Sequence, residues 1–457
     1  MRTDRSHVTE GPIGITLLRM AGPMVIGILT MMLFNVVDTF FIAQLGPEPL
    51  AAIGFTFPVV FVITGATMGM GIGMASVVSR AVGGGNHQQV AATTTHGLMF
   101  VIPLVLLFVG LGLFFHDSLF RLLGAGEEVL DLIHEYMFVW FIGVPFIVMP
   151  MIGNSAIRAT GDSLTPSLIM MVASVVNIIL DPLLIFGLGP FPRLELQGAA
   201  WATVLAYAMT FLASGWVLHR RERMLVFKRP VWQEVMGTWR ALLYVGVPAT
   251  CTNMLIPLAN GLLTRLMAGF GTHAVAAFGV VSRIESLVMV GAFAMSTIMV
   301  PFAGQNFGAG KPERVAAALR FGLKYCFTIS LLLWAVLAVG SGTIAQWFAD
   351  DPEITAIIRP FLFWVPLTYG AFGYSLLVTS TFNGSGRPGK AMLIFGSRLF
   401  GFIVPLAWLG TQWLGIPGLF AAMMIGNIGA GLFARWMNHR FLLLGFDSPT
   451  ISFKMVS

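Results

Sequence analysis

Charge is what this chain lacks. Of its 457 residues, 10% are Asp, Glu, Lys or Arg, while 57% are hydrophobic. Soluble domains carry about 25% charged residues, so a water-soluble fold is excluded by composition. Cysteine is equally scarce. Cys251 and Cys326 stand in separate apolar stretches and read as small packing residues, not as a disulfide or metal site. Catalytic signatures are missing as well. GQNFGAGKP has the look of a phosphate loop, but Gln305 stands where its first Gly belongs and Pro312 where Ser or Thr should be. His134-Glu135 is followed by no second His at the metalloprotease spacing, and no nucleophile elbow occurs. An enzyme is therefore not expected, nor a cofactor, nor a nucleotide-driven machine.

What the chain has is long apolar runs. A membrane span needs roughly 20 apolar residues. Twelve segments qualify: 14–45, 52–80, 90–115, 128–152, 164–188, 197–219, 241–268, 274–304, 313–340, 354–382, 390–411 and 416–438. The first is too long for a signal-peptide core and has no small-residue cleavage pattern, so it reads as a retained span. The expected fold class is all-α and polytopic. Most connections are short. The exception is a basic linker at about 220–239.

Loop charge sets the orientation. Both termini and the even-numbered loops hold Arg2, Arg5, Arg80, Arg158, Arg220, Arg221, Arg223, Lys228, Arg229, Lys311, Arg314, Arg387, Lys390, Arg440 and Lys454. The opposite loops hold Arg121 and Arg193, with acids at Glu48, Asp117, Glu127, Glu128, Asp350, Asp351 and Glu353. This places both termini in the cytoplasm of a multi-pass protein of the inner (plasma) membrane. The net charge of +6 is then a topology signal and not a nucleic-acid footprint.

The sequence also repeats. Pro23 and Pro248, Asn35 and Asn260, Gly54 and Gly279, Gly85 and Gly310, and Gly161 and Gly386 are all pairs 225 residues apart. Six spans per half predict two bundles, residues 1–219 and 240–457, related by an axis along the membrane normal with a substrate path between them. The repeats differ at three polar positions. Asp38 corresponds to Leu263 and, after a two-residue slip beyond Gly161, Asp181 corresponds to Val404 and Asn177 to Phe400. The fold does without these groups in one half, which argues for function in the other.

An acid inside a bilayer is a functional-site candidate by default. Asp38 and Asp181 lie at a common expected depth of about 10 Å below the outer surface, with Thr203 at about 9 Å and Tyr136 at about 12 Å. Asn177 and Asp181 are four apart and share a helix face, as Asn35 and Asp38, three apart, do. Pro182 leaves the carbonyl of Ile178 without its helical donor, and Pro23 does the same for Arg19. Two close carboxylates repel in low dielectric, so one should hold a proton, or a sodium ion should bridge them. Asp38, Asn177, Asp181 and Thr203 could supply its oxygens. In the second half, Glu285, Arg283 and Arg398 are candidates for the substrate path, together with Asn35. Gly65, Gly69 and Gly73 have the spacing of a close helix contact.

These residues resemble the multidrug and toxic compound extrusion (MATE) family, over essentially the whole chain. The marks are Pro23 and Asp38 in the first span, the Asn177–Asp181–Pro182 stretch in the fifth and Thr203 in the sixth. In the DinF-like branch, residues of these types form an N-lobe site for a proton or sodium ion, and Tyr136 joins them by resemblance. The resemblance implies a MATE-like pair of six-helix lobes. It also implies antiport: H+ or Na+ enters while a cationic or amphipathic drug-like compound leaves, with bending of the first helix at Pro23 linked to protonation. The sodium-type NorM branch places acids in spans seven and ten, and neither has an internal acid here. The partners expected are small-molecule substrates and membrane lipids, the chain acting as a monomer. The rival reading is a flippase for lipids or lipid-linked precursors with a similar two-lobed build.

Overall fold

A computed structural model describes residues 6–227 and 229–443. Arg2, Arg5, Lys228 and Lys454, which enter the charge argument, lie outside the described residues. The described chain is helical. A short α1 (Ser6–Glu10) leads into α2 (Ile13–Ala43), α3 (Pro47–Gly83), α4 (His87–Met99), α5 (Val101–Leu122), α6 (Glu127–Ala159), α7 (Leu164–Phe186) and α8 (Glu195–Trp216). The second half runs α9 (Trp232–Ala268), α10 (Thr272–Val288), α11 (Val290–Gly308), α12 (Pro312–Phe348), α13 (Pro352–Trp364), α14 (Tyr369–Gly384), α15 (Pro388–Gly396), α16 (Val404–Leu414) and α17 (Ile416–Leu443). Proline opens α3, α12, α13 and α15, where its missing N–H costs no hydrogen bond. Eleven of the described helices or helix runs are long and apolar enough to span a membrane, and α10 with α11, bent by 51°, makes twelve.

Several edges differ from the sequence reading. The third span is broken at Phe100, between α4 and α5. The seventh begins at Trp232, not at 241, so the last eight residues of the expected linker are helix. Its indoles explain why. Trp239 donates Nε1–H to the His96 carbonyl at 2.8 Å, and its ring meets Trp232 and Phe100 edge-on at 5.9 and 5.4 Å. Trp239 thus buries apolar area while its N–H is satisfied, which keeps the helix wound through a polar stretch.

Packing sorts the chain into two units whose boundaries lie inside helices. One is Gly22–Thr250; the other combines Met1–Ala21 with Cys251–Ser457. Both observed boundaries sit beside prolines of the repeat, Pro23 and Pro248. In the first unit α6 is central, packed on α3, α5 and α8, with Ile133, Met137, Ile152 and Ile157 fully enclosed. Gly69 and Gly73 let α3 approach α9: a Cβ at Gly73 would stand 2.7 Å from the Leu242 carbonyl oxygen, and one at Gly69 would collide with Thr250. In the second unit every residue of α14 is buried, against α11, α12 and α17. Its α11 carries Gln305 and Asn306 inside a helix, so no phosphate loop exists there. Instead Asn306 Nδ2 donates to the Val8 carbonyl at 3.3 Å and Arg314 Nη2 to that of Gly11 at 2.7 Å, tying the segment before α2 to this unit.

Candidate functional site

The first unit brings together most of the polar side chains singled out above. Asn177 and Asp181 lie on α7, one turn apart, and both are buried. The helix stops at Gly187, whose left-handed backbone (φ 71°, ψ 46°) turns the chain back so that the N–H of Leu194 meets the Leu184 carbonyl at 2.9 Å. That turn lays α8 directly against α7. Gly198 makes the seam tight: a Cβ there would stand 2.5 Å from the Leu184 carbonyl oxygen. Five residues further on, Thr203 faces Asn177, and Gly143 on α6 admits Val204 in the same way. On its other side α7 meets α2, with Ser167 Oγ 3.4 Å from Met24 Sδ and Phe41 against Phe186 at 6.2 Å between centroids.

Asn177 is the hub. With its amide oriented to satisfy its surroundings, the nitrogen donates to Asp181 Oδ2 at 2.8 Å and the oxygen accepts from Thr203 Oγ1 at 3.3 Å. The other carboxylate oxygen, Asp181 Oδ1, is buried without a hydrogen-bond partner, and so is Asp38 Oδ1. Asp38, Asp181 and the buried Tyr136 lie within electrostatic reach of one another. A buried, unpaired carboxylate oxygen costs several kcal/mol when ionised. Two of them together make a place where a proton or a small cation is strongly favoured. Pro182, next to Asp181, removes the helical donor for the Ile178 carbonyl.

Asn35 stands apart from this cluster. It is exposed, and its amide donates to its own helix at the Met31 carbonyl, 3.0 Å away. The second-half candidates divide. Arg283 is exposed. Glu285 and Arg398 lie within electrostatic reach of each other, though not at ion-pair distance. Arg398 is buried and turned inward: its Nε and Nη2 donate to Asn427 Oδ1 at 3.0 and 2.9 Å, and its guanidinium lies 3.4 Å over the Phe372 ring. Asn427 in turn donates to Thr368 Oγ1 at 2.9 Å. Asn427, Thr368, Tyr369 and Phe372 escaped the sequence reading. Their only signal was a lone Asn in an apolar run, and their partners lie tens of residues away.

The sequence model of the MatE family matches this chain twice, over residues 23–183 and 248–409. The two matches begin 225 residues apart, the offset of the internal repeat. A protein of Shewanella oneidensis named FAD transporter is 38% identical over 96% of this chain and 97% of its own length. A probable multidrug resistance protein of Bacillus subtilis, YoeA, is 28% identical over 83% of this chain and 85% of its own. The crystal structure of the Vibrio cholerae MATE transporter VcmN in its bent form superposes with a TM-score of 0.89, at 33% identity, covering 94% of this chain and 97% of that one. Sequence, repeat and fold agree: the chain belongs to the MatE (MATE) family, secondary transporters that couple to H+ or Na+ and are not enzymes.

Proposed function

We propose that the chain is an antiporter of the inner membrane that exports amphipathic, often cationic compounds, driven by inward ion flow through the Asp38–Asp181 cluster. The observation that carries this reading is the pair of buried, unpartnered carboxylate oxygens on Asp38 and Asp181, with Asn177, Thr203 and Tyr136 beside them. Loading an ion cancels the repulsion between the acids. Emptying the site restores it, so occupancy changes the charge held inside the first unit and biases its conformation. Pro23 is where α2 would bend in response, as the DinF-like resemblance implies.

Either coupling ion fits the cluster: a proton on one carboxyl, or a sodium ion held by oxygens of Asp38, Asp181, Asn177 and Thr203, removes the repulsion between the acids. The positive-inside pattern supports cytoplasmic termini, an ion site nearer the outer surface, and ion entry from outside. The test is uphill efflux of ethidium from proteoliposomes. A pH gradient or a sodium gradient should drive it in the wild type, and neither should in Asp38→Asn. Equal efflux by both proteins at equal abundance would sink the assignment.

A second cargo reading comes from the relative named FAD transporter, 38% identical along nearly the full length. In that reading the exported compound is a flavin nucleotide, amphipathic through its ring system and anionic through its phosphates. Competition of FAD with ethidium for efflux separates the two.

A further inference from the structure

The second unit contains a polar centre that the ion-coupling cluster does not use. Three spans lose their regularity around it. The α10–α11 span breaks by 51° at Met289, just beyond Glu285. A 3-10 turn, Val365–Thr368, separates α13 from α14 immediately before Tyr369. Arg398 itself lies in a π-helical stretch, Ser397–Ile403, between α15 and α16. Irregular backbone at membrane depth persists where protein encloses it or where it lines a cavity. Single π turns gather at functional sites, and interrupted spans mark the binding sites of transporters.

Arg398 lies ten residues beyond Pro388, where the span begins, about 15 Å into the bilayer at helical rise. It cannot snorkel from there, and it points inward, 6% exposed. A guanidinium has five N–H donors. Asn427 engages Nε and one N–H of Nη2, and Phe372 covers one face, which fixes the fork. Nη1 makes no hydrogen bond among the described residues. The hydroxyl of Tyr369, 2% exposed, is also buried without a partner and lies within electrostatic reach of Arg398. Glu285 is near enough to offset the charge but not to occupy the free edge. A buried cation with an open donor edge is costly, and a bidentate oxyanion is what that edge fits.

We propose that Arg398 and Tyr369 form a subsite for the phosphate of an amphipathic phosphorylated cargo, with Asn427 and Phe372 as positioning residues. This rests on the exporter reading, with its second cargo, in assigning the phosphate to the exported compound. The free Nη1 edge and the Tyr369 hydroxyl donate to the phosphate oxygens. Glu285 weakens the hold by repulsion, so the anion can leave.

The test measures binding of riboflavin, FMN and FAD to the full chain in phosphatidylcholine nanodiscs. Riboflavin and FMN differ by one phosphate. FMN should bind the wild type at least tenfold more tightly than riboflavin. Arg398→Gln should bring FMN to the level of riboflavin. Arg398→Lys, which keeps the charge but not the fork, should fall between, and Glu285→Gln should tighten FMN. Equal binding of riboflavin and FMN by the wild type overturns the proposal, whether or not Arg398→Gln folds. So does a phosphate preference that survives in Arg398→Gln, or one that vanishes when phosphatidylglycerol is mixed into the nanodiscs, which would assign the site to a lipid headgroup. Ion-driven ethidium efflux by the wild type separates the two levels. If it persists without a phosphate preference, the exporter reading stands and the subsite fails; if no gradient drives any compound, the exporter reading fails.

Discussion

The seam between α7 and α8 holds the coupling site in register, and Gly198 controls the seam. Replace it with alanine. The new methyl would lie 2.5 Å from the Leu184 carbonyl oxygen and 2.8 Å from the Ile185 nitrogen. Both obstacles are backbone, so neither can rotate away, and α8 must withdraw by about 1 Å to reach ordinary contact. The Asn177–Thr203 hydrogen bond is already long at 3.3 Å, and a further ~1 Å breaks it. Forcing a methyl into a full seam costs about 1–3 kcal/mol of stability. The lost hydrogen bond weakens the fixed Asn177 amide by about 1 kcal/mol, roughly a fivefold factor in an equilibrium. The ion concentration for half-maximal efflux from proteoliposomes should therefore rise about fivefold, with a lower thermal midpoint, although no charged residue has changed. Gly110→Ala is the control, because a Cβ at Gly110 meets nothing within 4 Å. If Gly198→Ala keeps wild-type half-saturation and melting, the seam does not set the site's geometry and the reasoning fails.

Three further outcomes are expected. Thr203→Val keeps the side-chain shape but removes the hydroxyl, so it should weaken ion dependence about fivefold, while Thr203→Ser should restore it; identical efflux curves for both would exclude the hydroxyl. Arg314→Ala removes donors to the Val8 and Gly11 carbonyls and to Asn306. Hydrogen exchange over residues 8–11 should accelerate at least tenfold, since charged hydrogen bonds contribute about 1.5–3 kcal/mol; unchanged exchange would mean the segment is held by other contacts. On a background lacking the exposed Cys251, a cysteine at Lys311 should react with an impermeant thiol reagent only after cells are opened, and one at Glu127 in intact cells. The reverse pattern would invert the proposed orientation.

The spans were legible because bilayer length and hydropathy act locally along the chain. The double architecture was legible because Pro23 and Pro248, and other pairs like them, kept one offset. The proximity of Asp38, Asp181 and Thr203 could be anticipated as a shared depth, since helical rise converts sequence position into height. Height says nothing of azimuth, however. Nor does a shared helix face settle contact: Asn35, one turn before Asp38, bonds to its own helix and stays out of the cluster. The π turn at Arg398 was not legible, because a single inserted residue leaves hydropathy unchanged. Nor were its partners: Asn427 and Thr368 belong to different spans, and their hydrogen bond is a tertiary choice. The early start of α9 was hidden for the same reason, its polar first turns being held by Trp239 on the His96 carbonyl.

In the proposed function an ion carried by Asp38 and Asp181 drives export. The most direct measurement is uphill ethidium efflux from proteoliposomes under an imposed pH gradient and, separately, an imposed sodium gradient, for the wild type, Asp38→Asn and Asp181→Asn. Efflux is expected in the wild type under the pH gradient or the sodium gradient, and under neither gradient in either variant. Efflux that persists in both variants, or that needs no gradient at all, would contradict that function.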